Sequence, residues 1–202
     1  TNSLLSAAEK LFPNEIFISL HVMLIRRVMN LETDKGFREV IIEKLSSAEF
    51  RKLNEADKRN IITTVVNLFL SSYIKGELNI IPLLAELMDL ALAEKSPIRN
   101  GIISGPFFTN YVVFNLYVDQ LKKAESFIKK FGSILDPGSK DYTINLAMAH
   151  LSFKKKEYAK AQKFLSQVMP DTPQRFLGVK NLLLKIYFEK NDLELVNGVI
   201  DS

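Results

Sequence analysis

Segment 142–168, YTINLAMAHLSFKKKEYAKAQKFLSQV, has a copy of its own pattern further along the chain. Moved forward by 35 residues it lies on LGVKNLLLKIYFEKNDLELVNGVI at 177–200. Ala149 then falls on Leu184, Leu151 on Ile186, Phe153 on Phe188, Tyr158 on Leu193, Ala161 on Val196 and Leu165 on Ile200. Moved back by 37 residues, it places Leu121, Ala124, Ile128 and Phe131 at the positions of Tyr158, Ala161, Leu165 and Val168. Periods in this range belong to stacked helical hairpins. One hairpin cannot bury its own apolar face, so its neighbours must stack on it. This constraint excludes most other architectures for the second half of the chain.

The rest of the sequence agrees with helix. No segment alternates apolar and polar residues for long, whereas apolar residues recur three and four apart almost throughout. Helices are expected over 2–11, 15–30, 35–46, 57–75, 77–94, 106–118, 120–132, 139–155, 157–168, 175–190 and 192–201, with a further turn or two at 47–53. Phe12-Pro13-Asn14, Lys75-Gly76-Glu77 and Ser96-Pro97 punctuate them, and Thr33 or Asp34 is the expected cap of the third. The apolar faces include Val40, Ile41 and Leu45, then Ile61, Val65, Leu68 and Phe69, then Ile80, Leu84, Leu87 and Ala91. The expected organisation is N-terminal helical hairpins over 1–95, a Gly- and Pro-containing joint at 96–105, and three repeat units over 106–202, forming one continuous solenoid with the first part.

The segment NLAMAHLSFKKKEYAKAQKFLSQV resembles the tetratricopeptide repeat. Small Ala149 sits in the first helix, Lys156-Glu157-Tyr158 stands where that family has Gly-Asp-Tyr, and small Ala161 opens the second helix four residues before Leu165. Ala149 and Ala161 let two helices approach closely, and Tyr158 and Leu165 fill the groove beside them. Ala124 and Val196 hold the position of Ala161 in the flanking units. The chain departs from the pattern at Ser152, which replaces an aromatic residue, at Lys156, which replaces the turn glycine, and at the bulkier Val196. Residues 73–201 as a whole also look like large bacterial proteins built from such repeats. The resemblance implies an all-α fold, an α-α superhelix or solenoid of stacked antiparallel hairpins. It brings no activity with it.

Composition narrows the function classes. At 47% hydrophobic and 25% charged residues the chain can bury a core. Without cysteine it has no disulfide, thiolate metal site or cysteine nucleophile. The histidines are His21, read as a core or half-buried residue in IFISLHVMLI, and His150. Neither has a partner at metal-ligand spacing, and no glycine-rich phosphate loop or GxSxG is present. The acid pairs Glu9/Glu15 and Asp89/Glu94 read as exposed faces. The expectation is therefore no catalytic residue, no metal and no cofactor. Asn100–Val118 carries no charge, but three asparagines and a Gly105-Pro106 break argue for a buried helix rather than a membrane span.

Net charge is +4, and segment 119–163 holds ten lysines against five acids. That excess suits an acidic partner and is small for nucleic-acid binding. The Lys154-Lys155-Lys156 run ends a helix, where cations complement the helix dipole by a few tenths of a kcal/mol.

In the family resembled, the first helix of each unit lines the inner groove. Carried over, this implies Thr143, Leu146, His150, Phe153 and Lys154 in the best unit. It implies Asn181, Lys185, Phe188 and Glu189 in the next, and Thr109, Val113, Leu116 and Tyr117 in the preceding one. Such a mildly basic, aromatic wall suits an extended or helical peptide with acidic residues. Asn181 and Lys185 stand in reverse order to a paired Lys–Asn carboxylate site, so no such site is expected. The leading expectation is a non-catalytic protein-interaction scaffold. The alternative is a single-stranded RNA-binding helical-repeat protein, against which the unequal spacing of 37 and 35 counts. An enzyme of unrecognised type is the third reading. Leu193, Val196, Val199 and Ile200 have no later helix to cover them, which implies chain beyond Ser202 or self-association through this face. The chain opens on Thr1, so it is expected to be a processed form or a piece of a longer chain from which a targeting segment could have been lost; a cytoplasmic location is expected.

Overall fold

A computed structural model describes residues 2–29 and 36–201. The protein is all-α: among the described residues 77% are helical and almost none are strand. Two compact units divide it, Thr1–Pro97 and Ile98–Ser202. The expected cap at Thr33 or Asp34 lies outside the described residues.

The first unit contains α1 (Asn2–Leu11), α2 (Ile16–Val28), α3 (Phe37–Ser46), α4 (Ala48–Lys52), α5 (Glu55–Ile74), a 3-10 turn at Leu78–Ile80, and α6 (Ile81–Ala93). Helix α2 is its hub, packing on α1, α3, α4 and α5. Its buried side chains are Leu20, Val22 and Leu24. Helix α5 buries Ile61, Ile62, Val65, Val66 and Phe69, a stripe of helical spacing that α2 and α6 cover. From α6, Leu84, Leu87, Met88 and Ala91 complete the core. Val40, expected inward with Ile41 and Leu45, is instead exposed.

Two acids assigned to exposed faces are in fact tied down. The Glu9 carboxylate accepts two hydrogen bonds from the Arg26 guanidinium, at 2.9 and 2.7 Å, clamping α1 to α2. Glu94 lies 2.8 Å from the ammonium of buried Lys58, which Glu55 also meets at 2.9 Å. Hydrogen bonds to Glu94 and then Glu55 hold the Lys58 ammonium above the ordinary lysine range.

The second unit opens with a feature the apolar pattern did not reveal. Strands β1 (Ile98–Arg99) and β2 (Ile102–Ile103) pair as an antiparallel hairpin, with Ile98 opposite Ile103. Asn100 and Gly101, both at positive φ (51° and 78°), make the two-residue turn. An Asn-Gly pair is the commonest signal for such a turn. Then follow α7 (Gly105–Tyr117), α8 (Leu121–Phe131), a 3-10 turn at Gly132–Ile134, α9 (Lys140–Lys154), α10 (Tyr158–Leu165), α11 (Pro173–Glu189) and α12 (Leu193–Ile200). Helix α7 packs on α8 and α9; α9 also packs on α8, α10 and α11; α11 packs on α10 and α12. The uncharged stretch forms α7, with Ser104 as cap and Pro106 in the first turn. No helix among the described residues is long and apolar enough to cross a membrane.

Three turns in this unit share one backbone device. Asp119, Lys156 and Asn191 adopt left-handed torsions, with φ of 60°, 61° and 57°. The next amide in each case reaches back into the preceding helix: Gln120 N–H to Asn115 C=O at 2.8 Å, Glu157 N–H to Ser152 C=O at 2.9 Å, and Asp192 N–H to Tyr187 C=O at 3.0 Å. These bonds satisfy helix-end carbonyls in the Schellman manner. The three residues stand 37 and 35 apart, the same two offsets as the sequence repeat.

Candidate functional site

The small residues of the repeat sit where helices meet. Ala124, Ala149 and Ala161 are fully buried. Ala149, Ala161, Leu165, Val168, Val179, Leu182 and Ile186 form one cluster joining α9, α10 and α11, with Tyr158 and Phe153 packed against it. Val196 is only half-buried, and α12 contains no buried residue.

Above this cluster α7, α9 and α11 enclose a half-open cavity of about 160 Å³. Its walls are Val113, Leu116 and Tyr117 from α7, His150, Phe153 and Lys154 from α9, and Leu182 and Lys185 from α11. Val113, His150 and Lys185 occupy one repeat position, 37 and 35 residues apart. The floor is apolar. The polar groups are an imidazole, two ammonium groups and a phenol, and no carboxylate lines the cavity.

The two lysines differ. Lys154 lies 2.7 Å from the Asp119 carboxylate, so its charge is already paired. Lys155 pairs with Glu125, and Lys156 is the left-handed turn residue; the triple-lysine run is thus one groove lysine followed by a helix end. Lys185 donates to the Tyr117 hydroxyl at 3.1 Å, with its ammonium 5.8 Å from the centre of that ring. It makes no ion pair among the described residues.

His150 is half-buried, and neither ring nitrogen finds a hydrogen-bond partner among the described residues. Burial, and secondarily the charge of Lys185, lower its pKa from 6.5 to about 4. His21 differs, since its Nδ1 lies 2.8 Å from the Phe17 carbonyl oxygen and its ring 4.2 Å from the Phe17 ring.

The depressed pKa has a consequence for stability. Above pH 6.5 His150 is neutral in both folded and unfolded chains and contributes nothing. Below that value the unfolded chain takes up the proton first, so stability falls with pH until the folded form protonates near pH 4. The loss at pH 5 relative to pH 7.5 is expected to reach at most about 2 kcal/mol. Urea titrations should show it, and His150→Gln should flatten that part of the profile. An unchanged profile in the variant would place the imidazole in water.

The other residues implied for the groove lie elsewhere. Thr143 and Leu146 are buried at 2% and 5% exposure. Helix α7 approaches α9 so closely that a β-carbon on Gly105 would stand 2.9 Å from the Thr143 hydroxyl oxygen, which leaves that side chain facing a neighbour rather than a partner. Asn181 and Phe188 are exposed outside the cavity lining, and the Glu189 carboxylate accepts from the Tyr158 hydroxyl. Leu182 lines the cavity without having been expected there. It opens the run Leu182-Leu183-Leu184, and nothing in that apolar run marks which one faces the opening.

No family model, curated protein or solved structure matches this chain. The cavity is therefore read from its own chemistry. Among the described residues, no three His, Asp or Glu side chains gather as a metal-binding group.

Proposed function

We propose that the second unit is a non-catalytic, tetratricopeptide-like interaction module whose cavity seats one large apolar side chain of a protein partner with acidic residues beside it. The observation that carries this reading is the convergence of Val113, His150 and Lys185, one repeat position on three successive first helices, on an apolar recess. About 160 Å³ accommodates one ring or branched side chain. Lys185, its phenol partner Tyr117 and His150 all offer donors, and no acid competes for them. Side-chain contacts along α7, α9 and α11 would supply the remaining affinity.

The test is fluorescence anisotropy with labelled acetyl-Asp-Asp-Phe-Asp-Asp-amide, its Leu- and Ala-centred analogues and a Lys-flanked analogue. The Phe or Leu peptide should bind, and the Ala and Lys peptides should not. Lys185→Glu should weaken binding by roughly tenfold to a hundredfold, because it sets like charges against each other. Lys163→Glu, on the exposed face of α10, should change little. Failure of all four peptides, or equal binding by Lys185→Glu, would overturn the proposal. Steeply salt-dependent binding of single-stranded RNA in their place would favour a nucleic-acid function.

A further inference from the structure

The His150 imidazole has no internal hydrogen-bond partner among the described residues, and it lines the same recess as the Lys185 ammonium, which donates to the Tyr117 hydroxyl and meets no carboxylate. We infer that the site takes up its partner's carboxylate together with a proton, the acid entering between Lys185 and His150 and converting the imidazole to imidazolium, so that affinity rises as pH falls. This inference rests on the peptide-binding reading above and adds a regulation to it.

The physical case begins with the charges facing His150. From α7 comes Tyr117, neutral and already accepting from Lys185. From α9 itself comes Lys154, neutralised by Asp119 in the turn that follows α7. From α11 comes Lys185. Helices α8 and α10, which also pack on α9, place no titratable side chain in the lining; their Glu125 pairs with Lys155, and Tyr158 donates to Glu189. In the free protein, then, the half-buried His150 shares a half-open recess with one positive charge that no carboxylate pairs. Both influences favour the neutral ring.

A carboxylate within hydrogen-bond reach of Lys185 reverses the second influence and opposes the first. It cancels the ammonium charge, and it accepts an N–H bond from the ring that is strengthened when the ring is charged. The proton comes from solvent, and the only covalent bond formed is the second N–H of the imidazole. By linkage, whatever raises the His150 pKa on binding makes binding tighter at lower pH by the same factor. A bound-state value near 6 gives about fourfold tighter binding at pH 5.5 than at pH 7.5. A partner's acid provides the switch by bringing the histidine up from about 4 towards the range that mild acidification reaches.

The chain has only two histidines, so its imidazole C–H NMR spectrum contains two signals, and His150→Gln assigns them. The probe is acetyl-Asp-Asp-Phe-Asp-Asp-amide. In the free protein the His150 signal should titrate near pH 4. With saturating peptide its midpoint should rise by about two pH units, while the peptide leaves the His21 signal where it was. Anisotropy should show the fourfold gain at pH 5.5, and His150→Gln should bind with the same affinity at both pH values. If wild type binds the peptide equally at pH 5.5 and 7.5 with an unmoved His150 midpoint, the proton coupling is overturned while the interaction module stands. If the peptide binds at neither pH, both are overturned.

Discussion

Phe108→Ala should lower the stability of the second unit by about 3–5 kcal/mol. The Phe108 side chain is among the largest fully buried in the protein. Its ring centre lies 4.9 Å from that of Phe127, which stacks on Tyr111 at 3.9 Å and meets Phe131 at 4.9 Å. Truncation removes the ring's burial and leaves a void that helices as closely packed as α7 and α9 cannot close. Urea denaturation followed by near-ultraviolet circular dichroism, which reports on these aromatics, measures the loss. A change below about 1 kcal/mol would mean that the void collapses freely and that the aromatic layer is not close-packed. Phe188, 70% exposed, provides the control, with Phe188→Ala expected within about 0.5 kcal/mol of wild type.

The second large effect tests stacking between successive hairpins. Leu165→Ala should cost about 2–5 kcal/mol, because Leu165 is 4% exposed and joins the cluster shared by α10 and α11. Ile200 holds the same repeat position 35 residues later and is 66% exposed. Ile200→Ala should therefore stay within about 0.5 kcal/mol of wild type. One repeat position thus yields two very different costs, depending on whether a following helix covers it. Equal losses at the two positions would contradict the nearest-neighbour account of this unit.

Much of this architecture is legible in the residues, for reasons that can be named. The 37- and 35-residue offsets appear because helix length and turn geometry repeat, so apolar positions return with them. Ala124, Ala149 and Ala161 stand out because a small side chain in an apolar run has few explanations besides close approach. The hairpin at 98–103 was hidden for the opposite reason. Two residues per strand are too few for alternation to show, and only Asn100-Gly101 marks it. The groove wall was half legible. His150, Phe153, Lys154, Lys185 and Tyr117 line the cavity, whereas Thr143 and Leu146 are covered by neighbouring helices. Which side of a helix faces a neighbour depends on how the next helix is rotated, and a single chain's apolar pattern does not encode that rotation where it is apolar on several sides. The ion pairs of Glu9 and Glu94 were invisible because their partners lie far away in sequence.

The left-handed residues at 119, 156 and 191 have a consequence for how such a chain can diverge. An aspartate, a lysine and an asparagine make the same turn, because the bonds that close it run between main-chain atoms. The turn accepts unbranched side chains of either charge, within the steric limits of a left-handed φ. Three torsion angles keep the spacing while the letters change, so the main chain rather than any one side chain sets the length of each hairpin.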